Sequence, residues 1–212
     1  GELLGAEQSG HIGSIGFDLY TKMLAQAVRE RKAAREGKAI VTGLPEPATI
    51  DLPLATYIPP DYVADAGLRL RLYRRMAGLD TLEEVDEMAE ELADRFGPIP
   101  DPVDNLLYQL RVKVLAMHAG VISITVESGQ IRLRVPGLDQ TPRYRLQRYL
   151  GNGVRVSKKA IWFGRDLSTS EWKVALVRVL ERLESFVLEA AGASNGTGNT
   201  VNGAGRRDEE EE

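Results

Sequence analysis

The chain has 212 residues, 43% of them hydrophobic and 27% charged, with a formal net charge of -4, enough for one sizeable core and a small appendage. That balance points to neither a nucleic-acid nor a membrane partner, and the absence of cysteine excludes disulfides, iron–sulfur clusters and thiolate zinc sites. The lack of cysteine fits a reducing cytoplasm, and no apolar run approaches the roughly 18 residues a membrane span needs and no secretory signal opens the chain.

Residues 1–15 are punctuated by Gly1, Gly5, Gly10 and Gly13 and predict a loop. The opening GELLGAEQSG reads as sequence from inside a longer protein. From Gly16 to Arg35, Leu19, Met23, Leu24, Ala27 and Val28 recur at helical spacing. Residues 36–47 hold Gly37, Gly43, Pro45 and Pro47 and mark a domain boundary, with the linker proper at 41–47. A short β-prone stretch, Ala48–Leu52, follows. Asp61 is expected to open a helix to Ala77 with Leu68, Leu70, Leu72, Tyr73 and Met76 on its apolar side.

Thr81-Leu82-Glu83-Glu84 has capping-box spacing, and the acidic helix it opens should stop at Gly97-Pro98. Asp101-Pro102 predicts a third helix with the carboxylate as cap and Leu106, Leu107, Leu110, Val114 and Leu115 facing a core. Val121–Val126 and Gln130–Val135 alternate at period two across Glu127-Ser128-Gly129, the pattern of a β-hairpin. Pro142–Leu150 predicts a short helix and Val154–Phe163 one further strand. Ser168–Glu171 is a second capping box, opening a helix to about Glu189. From Gly192 the glycine-, asparagine- and threonine-rich sequence ending in Asp208–Glu212 predicts disorder. Helices and an antiparallel patch in separate blocks predict an α+β fold.

No GxxxxGK[ST] or GxGxxG is present, so no phosphate cradle is recognisable, and no GxSxG surrounds Ser9, Ser14, Ser123 or Ser157. His118 falls near a helix C-terminus, where a positive or hydrogen-bonding side chain is favoured on structural grounds alone. Glu83, Glu87, Glu90, Glu91 and Asp94 read as a solvated face rather than a metal site, and as a candidate acidic docking face. Between Gln130 and Arg165, Arg132, Arg134, Arg143, Arg145, Arg148, Arg155, Lys158, Lys159 and Arg165 oppose the single acid Asp139. This sector is a candidate surface either for DNA phosphates, with Tyr144, Tyr149 and Trp162 to stack on unpaired bases, or for an acidic protein partner.

Two blocks carry a family resemblance. Gly1-Glu2-Leu3-Leu4-Gly5-Ala6-Glu7-Gln8-Ser9-Gly10-His11-Ile12, followed by Gly16-Phe17-Asp18-Leu19-Tyr20, resembles the end of the translocation motif of transcription-repair coupling factors, a shorter version of which RecG-type helicases share. Ile50-Asp51-Leu52, Tyr57-Ile58-Pro59, Asp61-Tyr62, Arg69-Leu70 and Leu72-Tyr73-Arg74-Arg75 are similar to the C-terminal domain of the same factors. So are Glu91-Leu92, Asp94-Arg95-Phe96-Gly97-Pro98, Pro100 and Asn105-Leu106-Leu107, and RecG lacks this domain. The resemblance covers about residues 1–190.

It implies a bacterial cytoplasmic, ATP-dependent DNA translocase that displaces stalled RNA polymerase and recruits nucleotide excision repair through UvrA. On that reading residues 1–40 are the end of the translocation motif and its following helix, with Gln8 as the coupling glutamine among Glu2, Gly5, Gly10 and His11. Residues 48–190 are the regulatory domain and 191–212 a tail. The domain is implied to be non-catalytic and autoinhibitory, docking on the UvrB-like module of its own protein. ATP, Mg2+ and duplex DNA belong to the parent motor, and no cofactor or metal is expected in the part seen here.

Overall fold

The structure, a computed structural model, describes residues 48–138, 142–164 and 170–195, with side chains in the last segment to Glu189. The predicted translocation-motif loop, the helix over 16–35, the 41–47 linker, Ser168 and the acidic tail lie outside the described residues.

The described chain is α+β. After β1 (Thr49–Ile50) come α1 (Ala66–Ala77), α2 (Leu82–Phe96), α3 (Asp101–His118), the β2 (Ser123–Glu127) and β3 (Gln130–Arg134) pair, α4 (Arg143–Leu150), β4 (Val154–Val156), β5 (Ala160–Gly164) and α5 (Glu171–Asn195).

Helix α1 starts five residues later than Asp61. After Pro59-Pro60 the amides of Tyr62 and Val63 both donate to the Pro59 carbonyl in a turn. The buried Arg69 guanidinium then takes the carbonyls of Val63, at 2.6 Å, and Ala64, at 2.9 Å. Those oxygens are unavailable to a helix, so Asp65 becomes the cap, its carboxylate accepting from the Leu68 amide. The burial pattern also sharpens: Leu72, Tyr73 and Met76 are buried, whereas Leu68 and Leu70 are only partly covered. Helix α2 begins as its capping box predicts, with the Glu84 amide donating to the Thr81 hydroxyl and the Thr81 amide to the Glu84 carboxylate. It ends at Gly97, whose φ of 88° only glycine adopts cheaply. Asp101, expected as the cap of α3, is instead its first helical residue: Pro100 is the cap and makes no side-chain bond. Asp101 and Asp104 place their charges in the first turn, where the helix dipole favours them.

The sheet order is β1-β2-β3-β5-β4. All pairs are antiparallel except β1 on β2, which is parallel because three helices separate those two strands and supply the crossover a parallel pair needs. The β2–β3 hairpin turns at Ser128 and Gly129, with φ of 51° and 72°, the two positive angles of a two-residue hairpin turn. Val154–Phe163 is two strands, not one. Ser157 makes the reversal: its amide and hydroxyl both donate to the Ala160 carbonyl at 2.8 Å, and its hydroxyl accepts from the Ala160 amide. A hydroxyl closes this turn with no glycine, proline or asparagine to announce it. Helix α5 continues to Asn195, past the predicted end at Glu189 and into the stretch expected to be disordered.

Burial divides into two cores. Ile58, Val63, Leu72, Tyr73, Met76, Val85, Met88 and Leu92 form a helical core with Leu106, Leu107, Leu110 and Val114 of α3. Ile124, Ile131, Leu133, Ile161 and Phe163 form a sheet core with Leu146, Leu150, Leu176, Leu180 and Leu183, and here α3 contributes Val112, Leu115 and Ala116. One continuous helix thus lays one set of side chains in each core. Lys113 fastens α3 within the helical lobe: its ammonium, whose pKa burial pushes down, donates to the Ala77 and Leu79 carbonyls at the end of α1.

Candidate docking surfaces

The inner face of the sheet is spent on its core, and strand alternation therefore sends the basic residues of β3 and β4 to the other face. There the registers Thr125–Arg132, Arg132–Trp162 and Arg155–Trp162 set four side chains in one row across β2, β3, β5 and β4. The guanidinium carbons of Arg132 and Arg155 lie 5.1 and 5.6 Å from the Trp162 ring centre, within cation–π range. Arg132 also donates to the Glu127 carboxylate at 2.7 Å, and this bond is the first cause of the lowered Glu127 pKa. The Arg132 Nε is buried without a partner. Arg155 is exposed, and among the described residues it forms no ion pair.

Beyond the strands, the described basic sector sits on α4 and in the β4–β5 turn, and Arg165 lies outside the described residues. Gln147 on α4 grips the free edge of β4, its amide group bonding the Val154 carbonyl and, at 2.9 Å, the Val156 amide. Arg143, Arg145 and Arg148 are exposed on that helix, and Lys158 and Lys159 are exposed in the β4–β5 turn. Tyr144 is exposed too. Tyr149 is not free to stack, because it packs edge-on against Phe186 at 5.4 Å and bonds Glu189. Trp162 is already faced by two cations. The aromatic set offered as a base-stacking platform thus reduces to Tyr144.

The acidic set also divides. Glu83, Glu87, Glu90 and Asp94 fall on one narrow stripe of α2, opposite the buried Val85, Met88 and Leu92, and among the described residues they make no ion pair. Glu91 departs from the expected docking face. Its carboxylate holds Arg75 of α1 through two bonds of 2.9 and 2.7 Å and also accepts from Arg95. The Arg75 bonds, then the Arg95 bond, lower its pKa from 4.5 to about 2. A carboxyl depressed on folding stabilises the fold above its unfolded pKa and loses that contribution as pH falls through its folded one. Glu91→Gln is therefore expected to lower stability at neutral pH by less than about 1 kcal/mol, the pair being partly solvated. The deficit should close between pH 4.5 and about 2, as read by urea midpoints across that range.

The two faces belong to lobes of opposite charge. Residues 48–104 hold 13 acidic and 5 basic side chains, and residues 105–195 hold 14 basic and 7 acidic. The overall charge conceals this division. His118 is the last residue of α3, whose cap is Ala119, and its side chain turns instead to α5, with Nδ1 3.1 Å from the Glu184 carboxylate. Gln8, Glu2, Gly5, Gly10 and His11 lie outside the described residues. Among the described residues no three acidic or histidine side chains gather as a metal site, and no helix is long and apolar enough to cross a membrane.

Residues 52–146 match the TRCF domain family. Over 168 residues the chain is 36% identical to the transcription-repair-coupling factor of Mycobacterium bovis, an alignment covering 76% of this chain and 14% of that protein. It is 41% identical over 124 residues to the factor of Haemophilus influenzae, covering 58% of this chain and 11% of that one. The chain therefore spans about one seventh or less of the relatives it matches. Its fold is similar to a crystal structure of the C-terminal domain of a transcription-repair coupling factor, with a TM-score of 0.58 at 22% identity over 67% of this chain and 94% of that one. Residues 52–146 are thus a TRCF domain, and the chain belongs to the transcription-repair coupling factors, sharing the fold of their C-terminal domain.

Proposed function

We propose that this domain is the releasable restraint of a bacterial, cytoplasmic, ATP-dependent DNA translocase that displaces stalled RNA polymerase. In this reading it docks on the UvrB-like module of its own protein, covers the surface that UvrA needs and holds back the motor. ATP, Mg2+ and duplex DNA are then handled elsewhere in the parent, and the domain itself performs no catalysis. The observation that carries the reading is the stripe of carboxylates Glu83, Glu87, Glu90 and Asp94 on α2, which make no ion pair among the described residues. Four solvated charges make a poor permanent seal and a good releasable contact, because charge complementarity gives specificity and speed more than raw affinity. A clamp of about 3 kcal/mol would leave roughly 1% of molecules open, within reach of a shift by DNA or polymerase.

The test is DNA-dependent ATPase activity and UvrA binding of the full-length parent, with and without residues 46–212. Both should rise on deletion, by up to about 100-fold for a clamp of that size. A joint fall in ATPase activity and DNA affinity would sink the restraint. A second reading, an accessory DNA-binding module, is favoured by the excess of basic residues in the sheet lobe. It requires affinity that falls steeply with salt and that drops in Arg145→Gln, Arg148→Gln and Lys158→Gln with motor restraint unchanged.

A further inference from the structure

We propose that the basic outer face of the sheet is a docking site for an acidic peptide segment, and that its occupant is this chain's own C-terminal run Asp208–Glu212. The inference goes beyond the restraint reading and does not depend on it.

The face is built to hold anions. An indole already faced by two guanidiniums is a poor platform for a base; what it does is fix two cations in place. Arg155 has no ion pair among the described residues, and Arg132 keeps an unpartnered buried Nε while its Nη1 serves Glu127. Arg134 shares their face two residues along β3, and Lys158 and Lys159 are exposed at the adjoining turn. Guanidinium groups pair best with planar, bidentate anions, above all carboxylates and phosphates. The chain supplies five consecutive carboxylates at positions 208–212.

Connectivity brings those carboxylates within reach. The second half of α5 lies beside α4, where Arg182 donates to the Leu150 carbonyl at 3.0 Å and Tyr149 donates to Glu189. Helix α4 is in turn fastened to the free edge of β4 by Gln147. The second half of α5 therefore lies toward the β4 edge on the inner face of the sheet, and the tail reaches the basic row by passing around that edge. Residues 196–207 lie between Asn195 and Asp208, and a chain of that length extends to roughly 40 Å. The row from Arg155 to Arg132 crosses only two strand spacings, about 10 Å. A tethered segment has an effective concentration in the millimolar range, enough for a contact that would be weak between separate molecules.

The test compares the full 212-residue chain with one in which D208N and E209Q to E212Q neutralise the run, and with Arg155→Gln. The readout is NMR of the Trp162 indole N–H, the arginine Nε–H groups and the β3–β5 amides. Neutralisation should move the signals of Trp162, Arg132 and Arg155. High salt should move the same signals in the unaltered chain, and Arg155→Gln should abolish the difference between charged and neutral tails. A synthetic Asp-Glu-Glu-Glu-Glu peptide added to the neutralised chain should restore the signals. It should also bind that chain about tenfold more tightly than the unaltered one, as a face occupied roughly 90% of the time requires. Unmoved signals on neutralisation overturn the proposal. So does restoration by oligothymidylate and not by the peptide, which would give the face to nucleic acid.

Discussion

Phe163→Ala is expected to cost about 3–5 kcal/mol of folding free energy, most of what a domain of this size has to spare. Phe163 is 1% exposed and sits on β5 between Ile131 of β3 and Val154 of β4, its register partners on either side. Both flanking strands are held by backbone pairing, which leaves little freedom to collapse into the space a benzyl group vacates. The residual cavity is what places the cost near the top of the large-to-small range. Phe163→Leu, which keeps most of the volume, should cost roughly 1–1.5 kcal/mol. Urea unfolding followed by far-UV circular dichroism measures both, and a loss below about 1 kcal/mol for alanine would mean that this strand is not packed as described.

Leu92→Ala is expected to lower stability by about 2–5 kcal/mol, and to do so for a lobe to which Leu92 contributes nothing. Leu92 is fully buried in the helical core, whereas both tryptophans, Trp162 and Trp172, belong to the sheet lobe. The two cores are joined through α3, which cannot lose Leu106, Leu107, Leu110 and Val114 from one side without loosening Val112, Leu115 and Ala116 on the other. Tryptophan fluorescence and circular dichroism should therefore report one coincident transition, lowered by roughly 5–15 °C. A split, with fluorescence melting at the original temperature, would show the cores to be separate cooperative units.

The helices of this protein are legible in its residues because their causes are local. Periodicity, the Thr81–Glu84 box and Gly97 each act on residues within about one helical turn, and the β2–β3 hairpin is likewise set by its alternation and a two-residue turn. Even so, Asp61 misleads as a helix start, because the groups that displace the helix to Ala66 are carbonyls taken by Arg69, and no propensity encodes that contact. Ser157 misleads in the same way, since its turn is made by one hydroxyl.

The candidate surfaces divide on the same line. The order of residues along the chain picks out the basic sector and the acidic helix and predicts an α+β domain. Only the folded chain separates Glu91 from its neighbours, because Arg75 lies 16 residues away. Only the folded chain sets Arg132 and Arg155 against Trp162, since strand register, not sequence distance, makes them neighbours. The parallel seat of β1 and the division of burial between two cores along α3 have the same origin. Secondary structure follows from residues a few positions apart, whereas ion pairs, sheet order and shared cores depend on which distant segments the burial of apolar surface brings together.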